Sequence, residues 1–162
     1  MKDLAVVETI LRNRYHFFIE IRDGVELKEK MRAMLISSIA FLALYGAVLG
    51  STHSLWQTLS SAVKLPLLFL ATLVICSPTL YFFNVLFGSN QSMTQNFALT
   101  LTAVTVTAVL LLSFAPIVLF FILTTSNYQF FKLLNVMIFA VCGLVGVLFL
   151  SQGVRIVSAA GK

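Results

Sequence analysis

After a polar head of about thirty residues, the chain runs through four apolar stretches separated by short polar ones. The stretches cover about 33–50, 65–87, 97–124 and 133–151. A helix needs about 20 apolar residues to cross the hydrocarbon core, with about 17 as a lower bound. The first stretch is near that bound, and Met31 and the stem of Arg32 extend it by snorkelling. The third is long enough to tilt or to carry its ends past the bilayer. The pattern predicts an all-α integral membrane bundle of four transmembrane helices over 33–157. A cytoplasmic amphipathic helical segment over 1–32 precedes it and a tail over 158–162 follows.

Within the head, Leu4, Val7, Leu11, Phe18 and Ile21 recur at helical steps, widened by Ile10 and Phe17, which predicts one amphipathic helix over 2–22. Asp23-Gly24 is a break signal, and a second helix starts near Val25 and runs into the membrane. Glu26 and Lys30 have the spacing and order of a favourable i,i+4 pair. The apolar stripe of the head has three open destinations: the bundle, the membrane surface or a partner.

Between the first two spans, residues 51–64 are polar and read as a short interfacial helix. Trp56 and Lys64 anchor it at the boundary. Pro66 suits a first helical turn. Pro78 falls mid-span and is expected to kink its helix, freeing a carbonyl near Val74 for Ser77 or Thr79. Pro116 is a second kink candidate. Thr100, Thr102, Thr105 and Thr107 can each bond the carbonyl one turn back. Asn84 and Asn135 are intramembrane amides that call for bundle partners. Lys132 and its neighbouring aromatics mark the last boundary.

Composition agrees with this picture. Apolar residues make up 59% of the 162 and charged residues 10%, against about 45–50% and about 25% in soluble domains. Every acidic residue lies in the first 29 positions and seven of the eleven basic ones lie in the first 32, so the head carries mixed charge and no nucleic-acid signature. The remaining basic residues are Lys64, Lys132, Arg155 and Lys162. Basic flanks before the first span and after the last put both ends in the cytoplasm by the positive-inside rule. Lys64 and Lys132 fall on the outer side. No signal-peptide pattern opens the chain.

The spans and the loops between them contain no Asp or Glu. Ion-coupled transport and carboxylate-dependent catalysis both call on such groups, so the sequence argues against an enzyme or an active transporter. His16 reads as solvated or interfacial and His53 as an isolated loop histidine, with no metal-ligand spacing around either. Cys76 and Cys142 read as small buried hydrophobes. No cofactor or metal is expected.

Gly46-Ala-Val-Leu-Gly50 is a small-xxx-small pattern, and Gly143 with Gly146 gives the fourth span a similar thin face. Such faces serve packing within the chain or contact with another subunit.

The segment from Ala40 to Gln95 carries a resemblance. Tyr45-Gly46 and Gly50 close the first span, then come Gln57, Ser60-Ser61 and Lys64-Leu65-Pro66. Pro78 and the run from Tyr81 through Asn84 to Gly88-Ser89 complete the pattern. This resembles bacterial relatives of the Yip family, multi-pass membrane proteins named for interaction with Rab-type GTPases. The resemblance implies a non-enzymatic protein of about five spans, against the four legible here: either the chain departs from the family or a fifth helix would follow residue 162. It also implies residence in the bacterial cytoplasmic (inner) membrane. The expected partners are the bilayer and other membrane proteins or copies of the chain itself. The leading expectation is an accessory or scaffolding subunit. The alternative is an oligomeric channel or facilitator shaped by Pro78 and Pro116 and lined by Thr100 to Thr107.

Overall fold

The fold was obtained as a computed structural model. It describes the chain apart from residues 1, 25, 52–54, 87, 89, 90, 126 and 160–162, and apart from the side chains of residues 2–4, 55 and 128. His53, Lys162 and the Leu4 side chain therefore lie outside the described residues. Six helices account for the architecture of the described residues: α1 (Lys2–Arg12), α2 (Arg14–Asp23), α3 (Leu27–Gly50), α4 (Leu55–Leu86), α5 (Met93–Thr124) and α6 (Tyr128–Ala159). No strand occurs among the described residues.

Helices α3 to α6 are each long and apolar enough to cross a membrane. The chain is thus an all-α, multi-pass integral membrane protein. Helices α4, α5 and α6 have 32 residues each. At 1.5 Å per residue that is about 48 Å, well beyond the roughly 30 Å hydrocarbon core.

The head forms two helices where the sequence predicts one. Asn13, at φ −126° and ψ 51°, leaves the helical region and separates α1 from α2. Asn accepts such a break because its amide competes for local backbone groups. The break lets α1 pack on α3 while α2 packs on α6. The buried stripe becomes Val7, Ile10, Phe17, Phe18 and Ile21, and Leu11 turns outward. The head therefore packs onto the bundle. Gly24, at φ 71°, closes α2 in the left-handed conformation and returns its N–H to Glu20 and Ile21.

Lys30 does not pair with the side chain of Glu26. Glu26 occupies the residue before α3 with φ 50°, and Lys30 Nζ reaches Glu20 of α2 instead, at 2.5 Å. The ion pair thereby ties the head to the first span.

Residues 51–64 are not a separate interfacial helix. From Leu55 onward they are the first turns of α4, which continues through Pro66 and Pro78 to Leu86. Pro66 is an interior, buried residue rather than a first-turn one. Docking against the glycine face of α3, described below, holds these early turns in line with the rest of the helix.

Helix directions alternate, so the start of α3, the end of α4, the start of α5 and the end of α6 share the end that α1 and α2 cover. A capping box formed by Ser92 and Gln95 opens α5 there. The Gln95 amide also donates to the Arg22 carbonyl at 2.7 Å. Helix α5 is the central element, packed on α3, α4 and α6. One apolar cluster joins Ile10, Phe17, Phe18 and Ile21 to Met34, Leu99, Leu101 and Val157. A second, deeper in the bundle, holds Leu42, Tyr45, Ala108, Leu111, Val118 and Cys142.

Candidate functional site

The four glycines of the two thin faces meet different fates. A Cβ at Gly46 would lie 2.6 Å from the Ser61 carbonyl oxygen, and one at Gly50 would lie 2.5 Å from Thr58 Cα. Both glycines thus let the α3 backbone rest directly on that of α4. Gly146 faces Thr107 and the Ala103 carbonyl of α5. Gly143 has no neighbour within 4 Å of where a Cβ would stand.

That open space belongs to a groove of about 470 Å3. Its floor is α5 at Thr100, Ala103, Val104 and Thr107. One wall is α4 from Phe69 to Phe83, and the other is α6 from Gly143 to Leu150. The groove exists because α4 packs on α3 and α5 whereas α6 packs on α5 and α2, leaving the two walls apart. Four threonines line it, and each hydroxyl is already spent on its own helix. Thr72 donates to Leu68, Thr79 to Ile75, Thr100 to Asn96 and Thr107 to Ala103, all between 2.9 and 3.1 Å. The surface on offer is therefore methyl groups and small residues, suited to van der Waals packing.

Thr102 and Thr105 point the other way, into α3. The Thr105 hydroxyl meets that of Ser38 at 2.9 Å, and the Thr102 hydroxyl lies 3.6 Å from Met34 Sδ.

Cys142 is buried, but Cys76 is exposed on the groove wall, which corrects its reading as a buried hydrophobe. The apolar run around Cys76 signals lipid here, not core, and both read alike in sequence.

At the head-covered end of the bundle an amide chain crosses several elements. Asn84 Nδ2 donates to Asn96 Oδ1 at 3.0 Å and approaches Gln91 Oε1 at 3.4 Å. Asn96 Nδ2 donates to the Ser77 carbonyl at 2.7 Å, and Gln91 Nε2 to Ser158 Oγ at 2.8 Å. Asn84 is the member that the sequence marks, as an amide within an apolar span. Asn96 and Gln91 sit in what reads as a polar loop, so nothing in the pattern marks them as buried. The other intramembrane amide, Asn135, accepts a 2.9 Å hydrogen bond from the hydroxyl of the fully buried Tyr45.

Pro78 and Pro116 lie on outward faces of helices that remain helical on both sides of them. The Thr79 hydroxyl donates to the Ile75 carbonyl rather than to that of Val74. Trp56 and Lys64 are exposed near the start of α4, and Lys132 is exposed near the start of α6. All three stand at the end of the bundle opposite the head.

His16 is exposed, 3.7 Å from Glu20. The hydrogen bond and charge of Asp23 push the Arg22 guanidinium above its ordinary value. Among the described residues no three His, Cys, Asp or Glu side chains converge as a metal group. Gly153 is a close-packing glycine outside both predicted faces: it receives the ring of Phe18. It falls just past the last apolar stretch, between Gln152 and Arg155, where the sequence gives no sign of close packing.

No family model, curated protein or solved structure matches this chain.

Proposed function

We propose that this membrane protein is a non-catalytic scaffold or accessory subunit that seats one transmembrane helix of a partner membrane protein in the groove between α4 and α6. One observation carries the reading: Gly46, Gly50 and Gly146 are covered within the chain, and Gly143 alone of the four faces open space. A thin face left open in lipid favours a second helix, because small residues let backbones approach closely while lipid supplies no competing hydrophobic force. The back-bonded threonines of the groove ask for no polar ligand. In this reading the end that carries α1 and α2 faces the cytoplasm. Arg14, Arg32 and Arg155 gather there, against Lys64 and Lys132 at the other end. The resemblance to bacterial Yip relatives supports a place in the cytoplasmic membrane.

The test is site-specific photo-cross-linking in native membranes. A benzophenone residue at Val147, on the groove wall, is expected to give a discrete adduct with another membrane protein. The same probe at Leu148, on a different face of α6, is expected to give none. Gly143→Leu should abolish the adduct while leaving the fold intact, since the new side chain enters open space. Adducts with lipid only, or a protein adduct that survives Gly143→Leu, would overturn the reading.

A further inference from the structure

A second cleft, of about 320 Å3, lies where α2 meets α6, lined by Arg14, Tyr15, Phe18, Gln152, Arg155 and Ile156. It is built by folding. Phe18 seats at Gly153, and that contact brings one arginine from each helix to the same opening.

The charges around it are unevenly matched. Glu8 lies 3.7 Å from Arg12, Glu20 binds Lys30 at 2.5 Å, and Asp23 binds Arg22 at 2.8 Å. Among the described residues neither Arg14 nor Arg155 has a carboxylate within ion-pair distance. Arg14 is held instead over the ring of Phe149, its guanidinium carbon 5.8 Å from the centroid. A ring face attracts the cation but brings no negative charge to neutralise it. Two guanidiniums lining one cleft without an acid form a receptor for an anion with several oxygens.

The position of the cleft says which kind of anion. Arg155 stands in the last turns of α6, which ends at Ala159. On the same face, at three- and four-residue steps back along the helix, come Gln152, Leu148, Leu144 and Val141. The last three are exposed by 60, 66 and 50%. A basic opening at the end of a span, continued into the bilayer by an uncovered apolar track, has the layout of a phospholipid: a phosphate above and an acyl chain below. The scaffold groove lies on the opposite face of α6, at Gly143, Gly146, Val147 and Leu150, so the two sites are separate.

We propose that Arg14 and Arg155, with Tyr15 and Gln152 as neighbouring hydrogen-bonding groups, bind the phosphate of an anionic phospholipid whose chain lies along Leu148, Leu144 and Val141. The lipid clamps α2 onto the end of α6.

Native mass spectrometry of the full chain in mild detergent tests this with three additions: phosphatidylglycerol, phosphatidylcholine and inorganic phosphate. Retained phosphatidylglycerol adducts are expected, with few from phosphatidylcholine. Arg155→Gln and Arg14→Gln should each reduce the phosphatidylglycerol adducts several-fold, and Arg155→Lys should restore most of them. Arg12→Gln removes a charge that is already paired outside the cleft and should leave them unchanged. Melting of each variant without lipid shows that it is folded, and the two Gln variants stand in for each other should one fail to fold. Equal binding by all variants overturns the proposal, as does equal loss in Arg12→Gln. Displacement by millimolar inorganic phosphate also overturns it, since that result identifies a soluble-anion site.

Discussion

The ring of Phe18 occupies the space that Gly153 leaves by having no side chain. A Cβ at Gly153 would lie 2.7 Å from Phe18 Cε1 and 2.8 Å from Leu99 Cδ2. Phe18 is almost fully buried in the cluster that joins the head to the bundle. One glycine near the end of the last span thus decides that the head is part of the fold.

Filling that space has a definite cost. Gly153→Leu is expected to destabilise the protein by about 1–3 kcal/mol through overpacking. Phe18→Ala should cost about 3 kcal/mol or more through the cavity it leaves. Denaturant titration in micelles measures both. A protease-sensitivity assay should show the head released from the bundle in each variant.

The glycines of α3 and α6 separate by what stands opposite them. Gly46→Ala and Gly50→Ala each drive a methyl group into the α4 backbone, which cannot give way as a flexible side chain does. Each is expected to lower stability by about 1–3 kcal/mol. Gly143→Ala meets nothing and removes a helix-weakening glycine, so it should be neutral or stabilising by up to about 1 kcal/mol. The same unfolding titration ranks them, and a loss at Gly143 equal to that at Gly46 would contradict the packing described.

Asn96 is the hinge of the amide chain. Fully buried, it donates to the Ser77 carbonyl and accepts from Asn84. Asn96→Ala leaves both partners short of a bond and is expected to cost about 1–3 kcal/mol. Asn84→Ala removes an outer member and should cost less, near the roughly 0.6 kcal/mol typical of hydrogen bonds between membrane helices. A double-mutant cycle on the two residues should return a coupling above its error. A coupling of zero would mean that the bond is not formed in solution.

Glu20 and Lys30 join α2 to α3 across a half-buried interface. Lys30→Met is expected to lower stability by about 1 kcal/mol, and the loss should shrink when Glu20→Gln is already present. Glu26→Gln should show no such coupling with Lys30, despite the i,i+4 spacing. Instead, Glu26→Gly is expected to stabilise by about 1 kcal/mol, because Gly adopts the positive φ at that position without steric cost. Thermal unfolding of the four variants distinguishes the pairings.

The membrane-spanning helices were legible in the sequence because hydropathy over some twenty residues is a local property, and lipid forces any such stretch to satisfy its own backbone. The break at Gly24 and the pull of Asn84 and Asn135 towards polar partners follow from the same local rules. What only the tertiary structure decided is how faces are assigned. In a helix that is apolar all round, core and lipid select the same residue types, so nothing in the sequence distinguishes Gly143, which lines an open groove, from Gly46, which touches a backbone. Cys76 and Cys142 differ in burial for the same reason. Lys30 shows the complementary case: sequence spacing offered Glu26, but the turn between α2 and α3 brought Glu20 to it instead. Helices form from nearest neighbours along the chain, whereas grooves, clefts and ion pairs between helices depend on how separately formed elements are rotated against one another. That rotation is settled by a few contacts, Phe18 on Gly153 and Gly46 on Ser61 among them, and no local pattern records it.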